Sequence, residues 1–317
     1  MSVIRNTILT EVDGKQYEVN TDTGEATEMI TMIVPLGTRW QTPDEQEKAR
    51  KRRELLKQRE EKKYYQQYFR KTLGQFYWIY ANDAFSDLQP QTVTKLVMLC
   101  TYLYYDDVFR RSTKTTIKKK DIQRILNISK AAAYDFWQEV KDKYTIENNG
   151  DLRISERANI FRGELPKTQE PEVIHYQKLY INTIRKLYRA TSIRKHKQLG
   201  YIFKLLPHLN LEYNILCTDP FEQEIDNIIP LTVGVICTLI GYDISQSTRL
   251  IKELQGLTFD YKNQKEYLIS YVDSGTNSPR QKKIFLNPRI VYNGSDFRKV
   301  EVLGAFCKTA GGEDSRH

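Results

Sequence analysis

Residues 113–154 read TKTTIKKKDIQRILNISKAAAYDFWQEVKDKYTIENNGDLRI, and the order of signals in this stretch sets the expected fold. Lys119 to Leu126 has the short apolar spacing of a helix (Ile122, Ile125, Leu126), Asn127-Ile128 make a turn, and Ser129 stands where an N-cap belongs. The helix expected from Lys130 to Lys143 then puts Ala133, Phe136, Trp137 and Val140 on an inner face, and Lys130, Ala131, Tyr134, Gln138 and Lys141 on an outer one. Two short β runs, Tyr144-Thr145-Ile146 and Leu152-Arg153-Ile154, flank Asn148-Asn149-Gly150, a hairpin turn signal. Helix, turn, capped helix and hairpin in this order predict a winged helix-turn-helix, a module that lays its second helix in the major groove of DNA.

Working outward, 317 residues suit two domains, each able to bury a core. With 40% hydrophobic and 28% charged residues the composition is that of a globular protein, and no apolar run reaches the ~18 residues a membrane span needs. The start, Met1-Ser2-Val3-Ile4-Arg5, lacks the apolar core of a signal peptide. Cys100, Cys217, Cys237 and Cys307 have no paired spacing, so free thiols in a reducing bacterial cytoplasm are expected. The net charge of +9 points to a polyanionic partner.

Residues 1–38 alternate like a small antiparallel sheet, with runs Thr7 to Val12, Tyr17 to Asn20 and Met29 to Val34 and turns at Asp13-Gly14 and Thr23-Gly24. The charge then reverses: residues 1–47 carry three basic and nine acidic side chains and residues 48–63 nine basic and three acidic, which marks a boundary. Thr42-Pro43-Asp44-Glu45 opens a long helix, polar nearly all round, that is either solvated or an arm along a DNA backbone or a dimer contact. Tyr64, Tyr65, Tyr68, Phe69, Phe76, Tyr77, Trp78 and Tyr80 then crowd one segment. Its interleaving with Arg70 and Lys71 suits base stacking, but the continuous run Phe76 to Tyr80 favours core packing. Leu88 to Tyr105 is read as an apolar helix beneath the first winged module, and Leu165 to Pro171, with two prolines among polar residues, as a linker.

Beyond the linker the first module is echoed in order but not in letters. Val173 to Arg189 has helical spacing with Lys178, Arg185, Lys186 and Arg189 outside, and Arg194, Lys195 and Lys197 add charge. Gln198 to Leu206 is read as a helix, Leu209 to Leu216 as a β-like run, and Leu231 to Ile240 as a short helix opened by Thr232. Ser245 is expected to cap a helix from Gln246 to Leu257, with Leu250, Ile251, Leu254 and Leu257 inside and Gln246, Ser247, Arg249 and Lys252 outside. Tyr267 to Val272 and Lys282 to Leu286, joined by Asp273 to Arg280, are expected to form a second wing.

The run Lys283-Ile284-Phe285-Leu286-Asn287-Pro288-Arg289-Ile290-Val291-Tyr292-Asn293-Gly294 resembles the end of the winged domain in replication initiators and regulators from plasmids and phages of low-GC Gram-positive bacteria. The likeness covers about Leu231 to Gly294 and implies that the helix Gln246 to Leu257 contacts an origin or operator repeat. The chain departs from the short initiators of that kind by its N-terminal winged module and basic helix. Two winged domains in tandem also resemble theta-replicating plasmid initiators that bind iterons, in architecture alone.

Enzymatic readings find little support. There is no phosphate-binding Gly-rich loop, and His175, His196, His208 and His317 form no pair with metal-ligand spacing. Arg194 with His196 is a faint echo of a tyrosine recombinase constellation, the weakest of the readings. The expected fold class is mainly α with small β: a β segment over 1–41, a basic helix over 42–73, winged domains over 74–164 and 173–294 joined by 165–172, and a tail over 295–317. The expected function is sequence-specific binding of double-stranded DNA without cofactor or metal, as a replication initiator or, alternatively, a transcriptional regulator; a second copy and host replication proteins are the other candidate partners. The residues expected at the DNA are Ser129, Lys130, Tyr134, Gln138, Lys141, Arg153, Arg194, Lys195, Lys197, Ser245, Gln246, Ser247, Arg249, Lys252, Arg280 and Lys282.

Overall fold

The computed structural model describes residues 7–29, 42–82, 85–164, 175–273, 282–294, 300 and 306. The expected linker over 165–172, Arg280 and nearly all of the 295–317 tail lie outside these residues. The fold is mixed α+β, with small antiparallel sheets. The chain divides into two compact units, Met1–Gln58 and Arg59–His317.

In the first unit, β1 (Thr7–Val12), β2 (Lys15–Asn20) and β3 (Ala26–Met29) form an antiparallel sheet in sequence order. Asp13 and Gly14 turn the first hairpin with φ of 51° and 77°, the left-handed pair that a two-residue turn requires. The third strand starts three residues before the expected Met29, and 30–34 lie outside the described residues. Ile8, Leu9 and Val12 are each more than half exposed, so this sheet gains little from burial. Helix α1 (Pro43–Leu73) begins in this unit and ends in the second. Its start is a reciprocal capping box: Glu45 N–H donates to Thr42 Oγ1 at 3.2 Å and Thr42 N–H to Glu45 Oε2 at 3.0 Å.

The second unit opens on β4 (Phe76–Tyr80), which is followed by α2 (Pro90–Cys100). Helix α2 is shorter than the expected 88–105. Thr101 ends it by returning its hydroxyl to Met98 O at 2.8 Å, while Arg185 donates to the Thr101 carbonyl at 2.7 Å, so the last orphan carbonyls are used up before Tyr105. A small hairpin, β5 (Arg110–Ser112) with β6 (Thr115–Thr116), leads to α3 (Ile122–Leu126) and α4 (Lys130–Val140). Hairpin β7 (Thr145–Asn148) and β8 (Asp151–Ile154) follows, then β9 (Ile160–Phe161).

The expected helix over 173–189 is a strand and a helix: β10 (Tyr176–Tyr180), then α5 (Ile181–Ala190). Pairing decides this. Strand β10 lies antiparallel to β4 with Lys178 opposite Trp78, and the chain alternates Gln177 and Leu179 inward in a sheet ordered β10-β4-β9. Then come α6 (His196–Lys204), α7 (Val233–Ile240) and α8 (Ser247–Gln255). The expected β run over 209–216 reduces to isolated bridges, Leu209 with Leu216 around a turn and Ile215 with Phe285. Where one wing was expected there are two hairpins: β11 (Thr258–Tyr261) with β12 (Gln264–Tyr267), and β13 (Ile269–Asp273) with β14 (Lys282–Leu286).

Residues before and after the expected linker share one core, in which Tyr77, Leu96 and Phe136 join Ile184, Leu199, Leu250 and Phe259. Full burial of one such Leu or Ile stabilises by roughly 1.5–3 kcal/mol. Its tightest joint is α2 on α6. A Cβ on Gly200 would fall 1.7 Å from the Pro90 carbonyl oxygen, so only glycine lets the two backbones meet there. Thr94 ties the same joint by donating its hydroxyl to His196 O at 2.7 Å. Cys100, Cys217 and Cys237 are buried free thiols.

Candidate nucleic-acid interface

Helix α4 starts as its sequence predicts and ends at Val140, three residues before the expected Lys143. Ser129 Oγ accepts from Ala132 N–H at 3.2 Å, Asn127 turns the chain at φ 51°, and Phe136, Trp137 and Val140 are buried. Lys130, Ala131, Tyr134, Gln138 and Lys141 are exposed, Tyr134 by 60%. The hairpin after it has four residues in each strand around Asn149-Gly150, both at positive φ. It is held to the body by Phe109 N–H to Leu152 O at 3.0 Å and Leu152 N–H to Ile117 O at 2.8 Å. Arg153 on β8 is half-buried and donates to the Asp106 carbonyl at 3.0 Å, so part of its guanidinium braces the hairpin.

Helix α8 repeats the arrangement with different chemistry. Thr232 caps α7 by accepting from Val235 N–H at 3.3 Å, and Gly241 at φ 66° ends it. The expected cap at Ser245 is corrected: Asp243 Oδ1 accepts from Ser245 N–H at 2.9 Å and opens a 3-10 turn over Ile244–Gln246, after which α8 starts at Ser247. A carboxylate accepts more strongly than a hydroxyl and suits the positive helix start. That backbone bond holds the Asp243 carboxyl below its ordinary range. Leu250 and Leu254 are buried, whereas Ser245, Gln246, Arg249 and Lys252 are exposed and Ser247 is half-buried. Hairpin β11–β12 then repeats the four-two-four pattern of β7–β8 around Lys262-Asn263, at φ 47° and 65°.

Arg249 is exposed but occupied: its Nε is 2.9 Å from Glu253 Oε1 one turn on. Glu253 also accepts from Gln198 Nε2 at 2.9 Å, and this bond, with that from Arg249, lowers its carboxyl below the usual range. Lys195 adds to the same lowering, which places Lys195 near α8, with Arg194 its neighbour in a 3-10 turn. Lys197 lies over the Tyr201 ring at 5.7 Å. Lys282 belongs to β14, with its side chain outside the described residues.

A cleft of about 710 Å³ joins these parts and was not foreseen. Arg124 of α3 and Asn127 from the turn before α4, Ile193 from beside Arg194, and Arg111 and Arg189 all line it. Arg189 continues into a second depression with Lys186, Lys262 and Asn263, and these cations in turn share a third with Lys71. A line of cations therefore runs from the entrance of α4 to the tip of hairpin β11–β12. Asp121 offsets part of it, at 3.1 Å from Arg124 and 3.3 Å from Arg111. Arg185, read from sequence as an outer cation, is half-buried: it stacks 4.2 Å over Tyr102 and bonds Thr101. The helical spacing of Lys186 and Arg189 was the signal for this cleft, but their facing hairpin and the α3 turn are far away in sequence.

The run Lys283 to Gly294 braces the second hairpin. Arg289 Nε donates to Glu266 Oε1 at 2.8 Å and Oε2 at 3.0 Å, the glutamate being buried and the arginine half-buried, and its guanidinium covers Tyr261 at 4.1 Å. Asn287 Nδ2 donates to Glu266 Oε2 at 3.0 Å and to Tyr267 O at 2.8 Å. Among the described residues no three His, Cys, Asp or Glu side chains are grouped as a metal ion would need, and no helix is long and apolar enough to cross a membrane. Compared with protein-family models, with curated proteins and with solved structures, the chain finds no match.

Proposed function

We propose that this chain binds double-stranded DNA in a sequence-specific manner through two winged helix-turn-helix modules. The first runs from α2 to β8 and the second from α6 to β12, with α4 and α8 as the helices laid in the major groove. The observation that carries this reading is the repeat: in each, a side-chain cap opens the segment with an exposed polar face, and a four-two-four hairpin follows. The cation line between them supports it, because specific binders position themselves on phosphates and read with side chains at base edges. Lys130, Tyr134 and Gln138 suit positioning; Gln246 and Arg249 suit pairing with adenine and guanine. Arg249 has to give up Glu253 to do so. An exposed ion pair is worth roughly 0–1 kcal/mol and a bidentate guanine contact roughly 1–3 kcal/mol, so the exchange favours DNA.

The narrower reading is a replication initiator of a plasmid or phage, supported by the resemblance of Lys283 to Gly294; a transcriptional regulator of such an element would use the same interface. Selection from a random duplex library tests the broader reading. A defined preference is expected, and Arg249→Ala should lose about 1–3 kcal/mol at one base position while keeping its non-specific affinity. No preference in the wild type, or unchanged preference and affinity in the variant, refutes it.

A further inference from the structure

The aromatic run Phe76 to Tyr80 does more than fill the core. Strand alternation splits it: Tyr77 and Ile79 point inward and are essentially unexposed, while Phe76, Trp78 and Tyr80 belong to the opposite face of the sheet. Antiparallel pairing brings Tyr176 and Lys178 of β10 and Phe161 of β9 to that same face. Trp78 lies 6.5 Å from Phe161 and 6.4 Å from Tyr176, and Tyr176 lies 5.4 Å from Tyr80 and 5.2 Å from Phe161. Tyr80, Phe161 and Tyr176 are half-buried, so this end of the face is open, whereas Trp78 is buried and at the other end Phe76 packs with Tyr180 against a second core cluster.

Cations are set among these rings. Lys178 Nζ is 5.0 Å from the centre of Trp78 and 5.6 Å from that of Phe76. At the β9 edge the Arg162 guanidinium lies 4.8 Å over Tyr105, a side chain 68% exposed. The half-buried rings of Tyr80, Phe161 and Tyr176 offer surface for stacking, and the nearby cations offer charge to a backbone that tracks across. A duplex keeps its base faces stacked on one another and has no use for such a surface. An unpaired strand does, and every base has a face to stack, so the surface needs no sequence preference.

We infer that the outer face of the β10-β4-β9 sheet is a binding site for single-stranded nucleic acid, separate from the duplex interface and independent of it. The test is fluorescence anisotropy of the full chain with a labelled oligo-dT of about 20 nucleotides, long enough for one such platform. Wild-type protein should bind it, and Arg249→Ala should bind it equally well. Tyr176→Leu and Phe161→Leu, which keep apolar bulk but lose the ring, should each weaken binding by about 10-fold, within the range for loss of one stacked base. Tyr176→Phe should restore it, and Lys178→Met should lower the salt dependence. Thermal melts identify any variant that fails to fold, in which case Tyr176→Phe and Lys178→Met carry the decision. No oligo-dT binding by the wild type overturns the inference, as does undiminished binding by the folded Leu variants. Loss of oligo-dT binding in Arg249→Ala overturns it too, because the strand would then sit on the duplex interface.

Discussion

Removing the Arg289 side chain should damage this protein far more than removing a surface cation. Glu266 is 2% exposed and Arg289 13%, and the pair is joined by two N–H to carboxylate contacts from one nitrogen. In Arg289→Ala the Glu266 carboxylate keeps, among the described residues, only Asn287 as a side-chain donor. Breaking a buried pair from one side costs about 3–5 kcal/mol, because an uncompensated charge is left behind. For a unit of this size 1 kcal/mol corresponds to roughly 2–4 °C in Tm, so the melting temperature should fall by about 10 °C. The double variant Glu266→Gln with Arg289→Met removes both charges while keeping an acceptor for Asn287, and should recover most of the loss. Scanning calorimetry or thermal circular dichroism reads both. A loss below about 1 kcal/mol in the single variant, or no recovery in the double, would refute the view that this pair locks the second hairpin.

Duplex binding should fall by about 10³-fold between roughly 50 and 200 mM salt if six phosphates are contacted, and Arg189→Ala or Lys262→Ala should each reduce the slope of log affinity against log salt by about 1; an unchanged slope removes the cation line from the interface. Acid should destabilise the fold through His175, whose ring is pushed down from 6.5 to about 4 by burial. Its Nε2 lies 2.9 Å from the Gln177 amide nitrogen, a contact that suits a neutral ring accepting a hydrogen bond. The unfolded chain takes up that proton at the higher pH, so stability is complete above pH 6.5 and drops by about 3 kcal/mol as pH falls toward 4. His196 and His208 are shifted downward by burial as well and act in the same direction. Melting of His175→Gln against pH should show a shallower decline than wild type; parallel curves would exclude His175 as a cause.

What could be read in advance was local. Ser129 before an apolar-periodic helix and Asn149-Gly150 between short β runs are signals complete within a few residues, and both hold. Thr42 and Thr232 cap their helices for the same reason. The hairpin expected from Tyr267 to Leu286 is present as β13 and β14, but Lys262-Asn263 makes an equivalent turn before it, and because lysine carries no turn signal β11 and β12 went unseen. Strand β10 was hidden because Leu179, Ile184 and Leu187 fit a helical period, and its partners are distant: Phe76 to Tyr80 about 100 positions before it, and Ile290 to Tyr292 more than 100 after. Arg185 looked like an outer cation because Thr101 and Tyr102, which hold it, are distant in sequence. The cation cleft failed to appear for that reason also: Arg111, Arg124 and Arg189 come from three separate elements.

The contact of Gly200 with Pro90 bears on how the two helices proposed to read DNA would meet a duplex. A flexible tether would let each module find its own groove and tolerate a change in the number of base pairs between the two sites. Here α2 and α6 touch at the backbone, with no side chain between them to yield. The interval between α4 and α8 is then a property of the folded chain, as fixed as the gap of a caliper. DNA offered to such a gauge has to supply the matching interval itself, by twisting or bending where its helical repeat falls short. The energy of that deformation depends on the base steps in the middle. Base pairs touched by neither helix would in this way enter the recognition sequence.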